Sequence, residues 1–210
     1  MTSRTPERLV IDGPAGALEI ALGAQGASAA PRGIALVAHP HPLEGGTLDN
    51  KVAHTLARTF HALGYAAVRF NMRGVGLSEG SFDEGEGETE DALAALAYAR
   101  KRHGEGPVVL AGFSFGAFVQ ARVAQEVSAE RIVLVGTAVE RIGMLALPAE
   151  TIVIHGEEDD VVPLASVFAW ARPRELPIIV FPGCGHFFHG RLPQLAQTIA
   201  GMWHRAHEAS

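Results

Sequence analysis

One serine in the chain lies in a pattern that suits nucleophilic chemistry. Ser114 is the centre of Gly112–Gly116, which reads GFSFG and fits the pattern Gly-x-Ser-x-Gly. A serine hydroxyl is a poor nucleophile until a base removes its proton, so it needs a partner and an exposed position. The pattern provides that position where a strand turns sharply into a helix, because glycines leave room that a Cβ would fill. Among 24 glycines the pattern can also arise by chance, so its surroundings decide the interpretation.

The residues on either side of Ser114 predict the required strand and helix. Val108–Ala111 is a short apolar run typical of a strand, and Phe115–Val127 has a helical pattern. The free N–H groups and the positive dipole end at a helix start favour a developing oxyanion. We therefore expect the N–H of Phe115 to be the first oxyanion donor.

The base that activates the serine must come from one of ten histidines. In folds that place the serine at such a strand-to-helix turn, the residues follow the chain order nucleophile, acid, base. His155 comes before any acid that could orient it. His204 and His207 fall in the predicted last helix and its tail, where a solvated helix face is the simpler interpretation. These three histidines are therefore set aside.

Two later histidines, His186 and His189, follow the predicted strand Ile178–Phe181. Their loop lies at the carboxyl edge of the sheet, where Ser114 is also expected. We predict His186 as the base, because the glycines of Gly183–Gly185 allow a close turn before it. We expect His189 at the surface or at the rim of a pocket.

The acid is expected in the loop after the preceding strand, in the segment His155–Pro163. This segment contains four consecutive carboxylates, Glu157–Asp160. Such a run is more often a solvated loop than a site, but one carboxylate is needed to hold the tautomer of His186. Spacing alone leaves Asp159 and Asp160 both open.

The segments around these residues predict an α/β fold. Strand and helix patterns alternate after residue 33, which is typical of a mainly parallel sheet with helices on both faces. Arg8–Ile11 and Ala17–Leu22 are expected to form an antiparallel hairpin before it. The other predicted strands are Gly33–Ala38, Tyr65–Phe70, Val108–Ala111, Ile132–Val135, Thr151–Ile154 and Ile178–Phe181. The predicted helices are Leu48–Leu63, Glu88–His103, Phe115–Val127, Pro163–Ala171 and Leu192–Ala206. No repeat or linker divides the chain, so we expect one domain over residues 1–210.

Composition narrows the class of protein. With 210 residues, 48% of them hydrophobic and 19% charged, the chain is expected to fold around a single large core. A net charge of −6 without basic blocks argues against a nucleic-acid partner.

The single cysteine, Cys184, excludes an intramolecular disulfide, and we interpret it as a packing residue. Met1–Arg8 lacks the apolar stretch of a signal peptide, and no apolar run is long enough to span a bilayer. We expect a cytoplasmic monomer or homodimer without a cofactor or a membrane partner.

Together these residues resemble the α/β-hydrolase superfamily along nearly the whole chain. His155–Pro163 is similar to the superfamily stretch HG-x-x-D-x-x-VP, whose acid is the aspartate four residues after the histidine. The resemblance therefore implies Asp159 as the acid. Gly185–Phe188 is similar to the superfamily's GH-F segment, which implies His186 as the base. The implied fold is the α/β-hydrolase three-layer sandwich, with a mainly parallel sheet of about eight strands.

More closely, the chain resembles a group of small bacterial hydrolases that have an HPHP signature and no lid. The similarity is carried by His39–Pro42, Gly45–Lys51, Arg69–Gly76 and Gly112–Gly116. Larger superfamily members insert a cap domain after the sixth strand, whereas only residues 137–150 separate the corresponding predicted strands here. We therefore expect an open site without a cap domain.

The HPHP segment indicates which residue gives the second oxyanion donor. Many superfamily members have His-Gly-x at this place, and the N–H of the third residue is the donor. Pro40 has no N–H to give, so the resemblance implies the N–H of His41. The alternative is a metal pair formed by His39 and His41. No third ligand stands at a recognisable zinc spacing and HExxH is absent, so no metal is expected.

The function expected from these residues is hydrolysis of a small ester or thioester through an acyl-serine intermediate. A peptidase or amidase acting on small peptides would use the same residues. A non-catalytic binding protein on a hydrolase fold is a third possibility, but Ser114, Asp159 and His186 are all intact. The acid-rich segment Ser78–Glu90 is expected at the rim of the site, where its charge would disfavour anionic acyl groups.

Overall fold

The computed structural model describes residues 6–23 and 30–208, with side chains through residue 203. Within these residues eight strands form one sheet. The strands are β1 (Glu7–Gly13), β2 (Gly16–Leu22), β3 (Ile34–Ala38), β4 (Ala66–Phe70), β5 (Val108–Phe113), β6 (Arg131–Val135), β7 (Thr151–Gly156) and β8 (Ile178–Phe181). The α-helices are α1 (Lys51–Ala62), α2 (Glu86–His103), α3 (Phe115–Glu126), α4 (Val139–Ile142), α5 (Leu164–Ala171) and α6 (Leu192–Glu208).

The sheet has the strand order β1-β2-β4-β3-β5-β6-β7-β8. Strands β1 and β2 form an antiparallel hairpin, and β2 pairs antiparallel with β4. The six strands from β3 to β8 are parallel. Strands β3 and β4 are buried along their whole length, as expected for parallel strands covered on both faces. The predicted mainly parallel sheet with an N-terminal hairpin is confirmed.

Helices cover both faces of the sheet and produce two separate core layers. Alternate residues of a strand point to opposite faces, so Leu36 lies in one layer and Val37 in the other. The first layer contains side chains of α2 and α3, including Leu96 and Val119. The second contains side chains of α1 and α6. The parallel strands all end at the same edge, and the loops at that edge carry the candidate site.

Three predicted helices begin at different residues in the structure, and α5 begins only one residue later, at Leu164. Helix α1 begins at Lys51 rather than Leu48, because the side chain of Asn50 caps it by accepting from the N–H of Val52 and Ala53. Helix α2 begins at Glu86 rather than Glu88. The carboxylate of Glu88 accepts from the N–H groups of the preceding turn, so this residue lies inside the first turn.

Other differences lie at the carboxyl edge of the sheet. Strand β5 runs to Phe113 and β7 to Gly156, each two residues beyond the predicted end. The added residues pair with the neighbouring strands and carry the chain directly to the site. Helix α4 was not predicted, since four residues are too few to show a helical period.

The longest helices are α2 and α6, with 18 and 17 residues. In the part of the chain that the structure describes, no helix combines the length and the hydropathy that a membrane span requires.

Candidate active site

Ser114 occupies a strained turn between β5 and α3. Its backbone has φ 56° and ψ −118°, and a positive φ is costly for any residue other than glycine. The Ser114 N–H donates to the carbonyl oxygen of Val135 at 2.9 Å, which fixes the turn against β6. A Cβ at Gly112 would collide with the backbone of Gly116, and one at Gly116 would collide with the carbonyl oxygen of His39. Close packing therefore explains both glycines of the motif.

The structure brings together the three residues that the sequence predicts as nucleophile, base and acid. His186 Nε2 lies 3.1 Å from Ser114 Oγ, and His186 Nδ1 lies 2.7 Å from Asp159 Oδ2. An ionised carboxylate only accepts hydrogen bonds, so Nδ1 carries the ring proton and Nε2 can accept the serine proton. His186 and Asp159 are buried, while Ser114 is half-buried. The serine hydroxyl is thus the member of the set that solvent and substrate can reach.

The carboxylate of Asp159 is held on both oxygens. Oδ2 accepts from His186, and Oδ1 accepts from the N–H groups of Val161 and Val162 at 3.0 and 2.7 Å. Burial acts to raise the pKa of Asp159, but the hydrogen bonds from His186 and Val162 outweigh it and the pKa lies below its ordinary value. Asp160, which spacing left open, is exposed. Asp159 is therefore the aspartate that the structure brings to His186.

A second histidine, His155, packs against the same carboxylate. It is fully buried, its Nε2–H donates to the carbonyl oxygen of Val162 at 2.8 Å, and Nε2 lies 3.3 Å from Asp159 Oδ2. Burial lowers the pKa of His155, so the ring is neutral near pH 7. Chain order excluded His155 as the base but missed this contact. The spacing of four residues in HG-x-x-D was the signal that could have found it.

The remaining candidates around the base lie where the sequence suggested. His189 is exposed and its ring stacks on that of Phe187, with centroids 5.9 Å apart. Cys184 is buried, and burial raises the pKa of its thiol, which disfavours the reactive thiolate. The side chains of His204 and His207 lie outside the described residues.

The side chains of the two residues predicted to give the oxyanion donors pack against each other. The rings of His41 and Phe115 are 4.9 Å apart, and Phe82 packs against both. Among the described residues, neither the His41 N–H nor the Phe115 N–H donates a hydrogen bond to another protein group. Two free N–H groups beside a serine nucleophile suit a developing oxyanion.

His39 fixes the peptide group that contains the His41 N–H. Its Nδ1 lies 2.6 Å from the carbonyl oxygen of Pro40, and its Nε2 lies 3.1 Å from the N of Met72. A carbonyl only accepts and a backbone N–H only donates, so Nδ1 carries the proton and Nε2 accepts. The Pro40 carbonyl and the His41 N–H belong to one peptide plane, so holding the first orients the second. Both ring nitrogens of His39 are occupied. No group of three or more potential metal ligands gathers among the residues that the structure describes.

We expect His39 to make stability depend on pH. Burial lowers the pKa of His39 to about 4, against the raising effect of its bond to Pro40, from an ordinary value of 6.5. Between these two pH values the unfolded chain therefore binds more protons at His39 than the folded chain does. The stability that the neutral His39 ring contributes to the fold is complete above pH 6.5 and is lost as the pH falls towards 4. The free energy of unfolding can be measured by urea titration at pH 7 and at pH 5. From the higher pH to the lower one, it should fall by about 2 kcal/mol more for the wild type than for His39→Gln.

An exposed histidine of α1 provides the control. His61→Gln should follow the wild-type pH dependence, because the His61 side chain is solvated. An equal fall for the wild type and for His39→Gln would contradict the assignment of His39 as a neutral buried group.

Each carboxylate of the acid-rich segment Ser78–Glu90 has a hydrogen-bond or ion-pair partner. Glu79 and Glu88 accept from backbone N–H groups. The ion pairs are Asp83 and Glu90 with Arg73, Glu84 with Arg141, and Glu86 with Arg122. Three arginines offset part of the negative charge of this segment, and the expectation that it disfavours anionic acyl groups stays a prediction. Sequence reasoning could not see the arginines, which come from other parts of the chain.

A family model described as serine aminopeptidase, S33, matches residues 43–149, about half of the chain. The chain belongs to this serine hydrolase family. An α/β serine hydrolase homologue from Coxiella burnetii is 37% identical, with 95% of this chain and 98% of that one covered and a TM-score of 0.87. XC6422 from Xanthomonas campestris, an α/β serine hydrolase without a lid, is 34% identical, with 96% and 94% covered and a TM-score of 0.88.

Uncharacterized protein RP471 of Rickettsia prowazekii (strain Madrid E) is 40% identical over 113 residues, which are 53% of this chain and 47% of RP471. The match therefore spans about half the length of that relative. Together with the sheet, the similar structures confirm the predicted α/β-hydrolase fold without a cap domain.

Proposed function

We propose that this serine hydrolase cleaves small carboxylic esters or thioesters through an acyl-serine intermediate. Ser114 is the nucleophile, His186 the general base and acid, and Asp159 the residue that orients His186. The observation that carries the proposal is the continuous chain from Ser114 Oγ to His186 Nε2 at 3.1 Å and from His186 Nδ1 to Asp159 Oδ2 at 2.7 Å. This geometry matches the roles that a serine nucleophile requires.

In the first half-reaction Ser114 Oγ attacks the carbonyl carbon while its proton passes to His186 Nε2. A new Oγ–C bond forms, and the carbonyl oxygen becomes an oxyanion that faces the N–H groups of Phe115 and His41. The bond to the leaving oxygen or sulfur then breaks, and His186 returns the proton to that atom. Asp159 stabilises the imidazolium in between. By analogy one oxyanion donor contributes about 2.7–4 kcal/mol to the transition state.

In the second half-reaction a water molecule takes the place of the departed group. His186 removes one proton from the water as its oxygen bonds to the acyl carbon. The acyl–Oγ bond then breaks, Ser114 regains its proton from His186, and the carboxylic acid leaves. Because residues 137–150 hold only the short helix α4 instead of a cap, solvent has direct access to the intermediate.

A peptidase or amidase is the second candidate, and the description of the matching family as a serine aminopeptidase favours it. An aminopeptidase must hold the ammonium group of its substrate, which calls for a carboxylate without a cation partner. In segment Ser78–Glu90 four carboxylates pair with arginines and two accept from backbone N–H groups. Glu88 is fully buried, so among these six carboxylates Glu79 alone is exposed without a cation partner. Few acids of this segment are thus available to an ammonium group, which favours the ester proposal over the peptide one.

The experiment that tests the proposal has two parts. A fluorophosphonate probe should label the folded protein, and mass spectrometry should locate the adduct on Ser114. A panel of phenyl acetate, S-phenyl thioacetate and alanine anilide then separates ester, thioester and aminopeptidase activity. We expect turnover of the first two with kcat/KM at least about a hundredfold above that for the anilide.

Protein unfolded in urea is the control, because an isolated serine lacks the base that activates it. A label on any residue other than Ser114 would overturn the assignment of the nucleophile. A kcat/KM for the anilide above that for both acetates would replace the ester proposal with the peptidase one.

A further inference from the structure

The two phenylalanines beside Ser114 lie on opposite faces of the sheet. Phe113 belongs to the core layer of α1 and α6, and Phe115 to the layer of α2 and α3. His186 packs against Phe113, and His41 packs against Phe115, each with ring centroids 4.9 Å apart. Ser114 therefore lies between two aromatic walls. We name them the His186 wall (Phe113, His186, Phe187) and the His41 wall (His41, Phe82, Phe115).

The proposed reaction assigns one part of the substrate to each wall. The leaving atom receives its proton from His186 Nε2, so the leaving group must extend along the His186 wall. The carbonyl oxygen faces the N–H groups of Phe115 and His41. The remaining substituent of the carbonyl carbon, the acyl chain, then extends away from His186, and we assign it to the side chains of the His41 wall.

The His41 wall is closed at its base by Phe115, while His41 and Phe82 are half-buried. Phe115 is only 2% exposed, and the ring of Phe82 packs 5.6 Å from it. The guanidinium of Arg141 in α4 lies 5.3 Å from the centre of the Phe115 ring. Arg141 also pairs with Glu84 at 3.1 Å, which joins α4 to segment Ser78–Glu90 across this side. The ring contacts and the ion pair narrow the space on this side, which favours a short acyl group over a long one.

The His186 wall is open at Phe187, whose ring presents a flat apolar surface. Phe187 is 47% exposed although it directly follows the proposed base. Its ring contacts His186 edge-on at 5.1 Å and Phe113 at 6.0 Å, and it stacks on His189 at 5.9 Å. These contacts hold the ring in one orientation, so a ligand that packs on it loses little side-chain entropy. A flat apolar leaving group fits that surface.

We propose that the substrates are esters or thioesters of a short acyl group, of acetyl size, whose leaving group carries a flat apolar ring that packs on Phe187. The inference rests on the proposed function, because the reaction chemistry assigns the two walls. It names the substrate class for that site.

The first test varies the leaving group and keeps the acyl group constant. Benzyl acetate and ethyl acetate form the same acetyl-serine, so deacylation cannot cause a difference between their kcat/KM values. The wild type should prefer benzyl acetate, and Phe187→Ala should lower the benzyl-to-ethyl ratio about tenfold. Phe168→Ala is the matched control, since Phe168 is 44% exposed on α5 and the ratio should stay at the wild-type value.

The second test varies the acyl group and keeps the leaving group constant. The wild type should hydrolyse p-nitrophenyl acetate with a kcat/KM at least about tenfold above that for p-nitrophenyl octanoate. Phe82→Ala should raise the relative rate on the octanoate and should leave the benzyl-to-ethyl ratio unchanged. A substitution in the His186 wall then changes the preference for the leaving group, and a substitution in the His41 wall changes the preference for the acyl group.

The outcomes separate this inference from the proposed function. An unchanged benzyl-to-ethyl ratio in Phe187→Ala, or equal wild-type rates on acetate and octanoate, overturns the inference while Ser114-dependent ester turnover stands. Absence of Ser114-dependent ester turnover overturns both. If Phe187→Ala fails to fold, Phe187→Leu serves instead, because it keeps an apolar side chain but removes the flat ring. It should also lower the ratio.

Discussion

Ser114→Ala is expected to lower kcat on p-nitrophenyl acetate by about six orders of magnitude, as removal of the nucleophile does in other serine hydrolases. The variant keeps the donors of Phe115 and His41 and the base His186, but water must then attack the ester directly. A residual rate above the uncatalysed one would come from those donors and from binding. Alanine has the same backbone preference as serine, so the turn at φ 56° should remain as strained as before.

The kinetics should be measured with matched circular dichroism melts, so that loss of activity is separated from loss of fold. Cys184→Ser is the control, because Cys184 is the other side chain near the base that could act as a nucleophile. It should retain kcat within a few-fold of the wild type. A kcat for Ser114→Ala within tenfold of the wild type would contradict the proposed mechanism.

Asp159→Asn is expected to lower kcat by about four orders of magnitude. The asparagine amide can donate to His186 Nδ1, which moves the ring proton to Nε2. That nitrogen, 3.1 Å from Ser114 Oγ, then has no lone pair to accept the serine proton. The change is nearly isosteric, so the effect comes from the tautomer rather than from packing.

Asp160→Asn is the matched comparison, because it makes the same chemical change one residue later at an exposed position. We expect its kcat to stay within about twofold of the wild type. Steady-state kinetics of both variants on one ester decides between them. A large loss in Asp160→Asn with little loss in Asp159→Asn would reverse the assignment of the acid.

Sequence could predict those residues of the site that lie in or next to a recognisable local pattern. The motif at Ser114 is flanked by a strand and a helix that are visible as apolar periodicity. His186 followed from chain order and from its place after a strand. Asp159 could not be separated from Asp160 by spacing, because the choice depends on which carboxylate turns inward. The resemblance to the α/β-hydrolase superfamily implied Asp159, and in the structure Asp159 Oδ2 lies 2.7 Å from His186 Nδ1.

What sequence reasoning missed depends on tertiary contacts. The role of His39 depends on Met72, which is distant in the chain and reaches the ring only through the pairing of β3 with β4. The pairing of acids with arginines around segment Ser78–Glu90 likewise joins separate elements. Burial, tautomer and charge pairing of this kind have no signature in hydrophobic periodicity.

The position of β8 at the edge of the sheet affects how long the protein is expected to stay active when it is heated. Ser114 follows β5, which is central and fully buried, whereas His186 follows β8, which lies at the edge and is mostly half-buried. Opening of a folded chain begins where the fewest contacts must be lost. The proposed nucleophile thus follows a protected central strand, whereas its base follows a less protected edge strand of the same sheet. On heating, we therefore expect the site to lose its base through fraying of β8 before the central strands open, so reinforcing β8 should prolong activity.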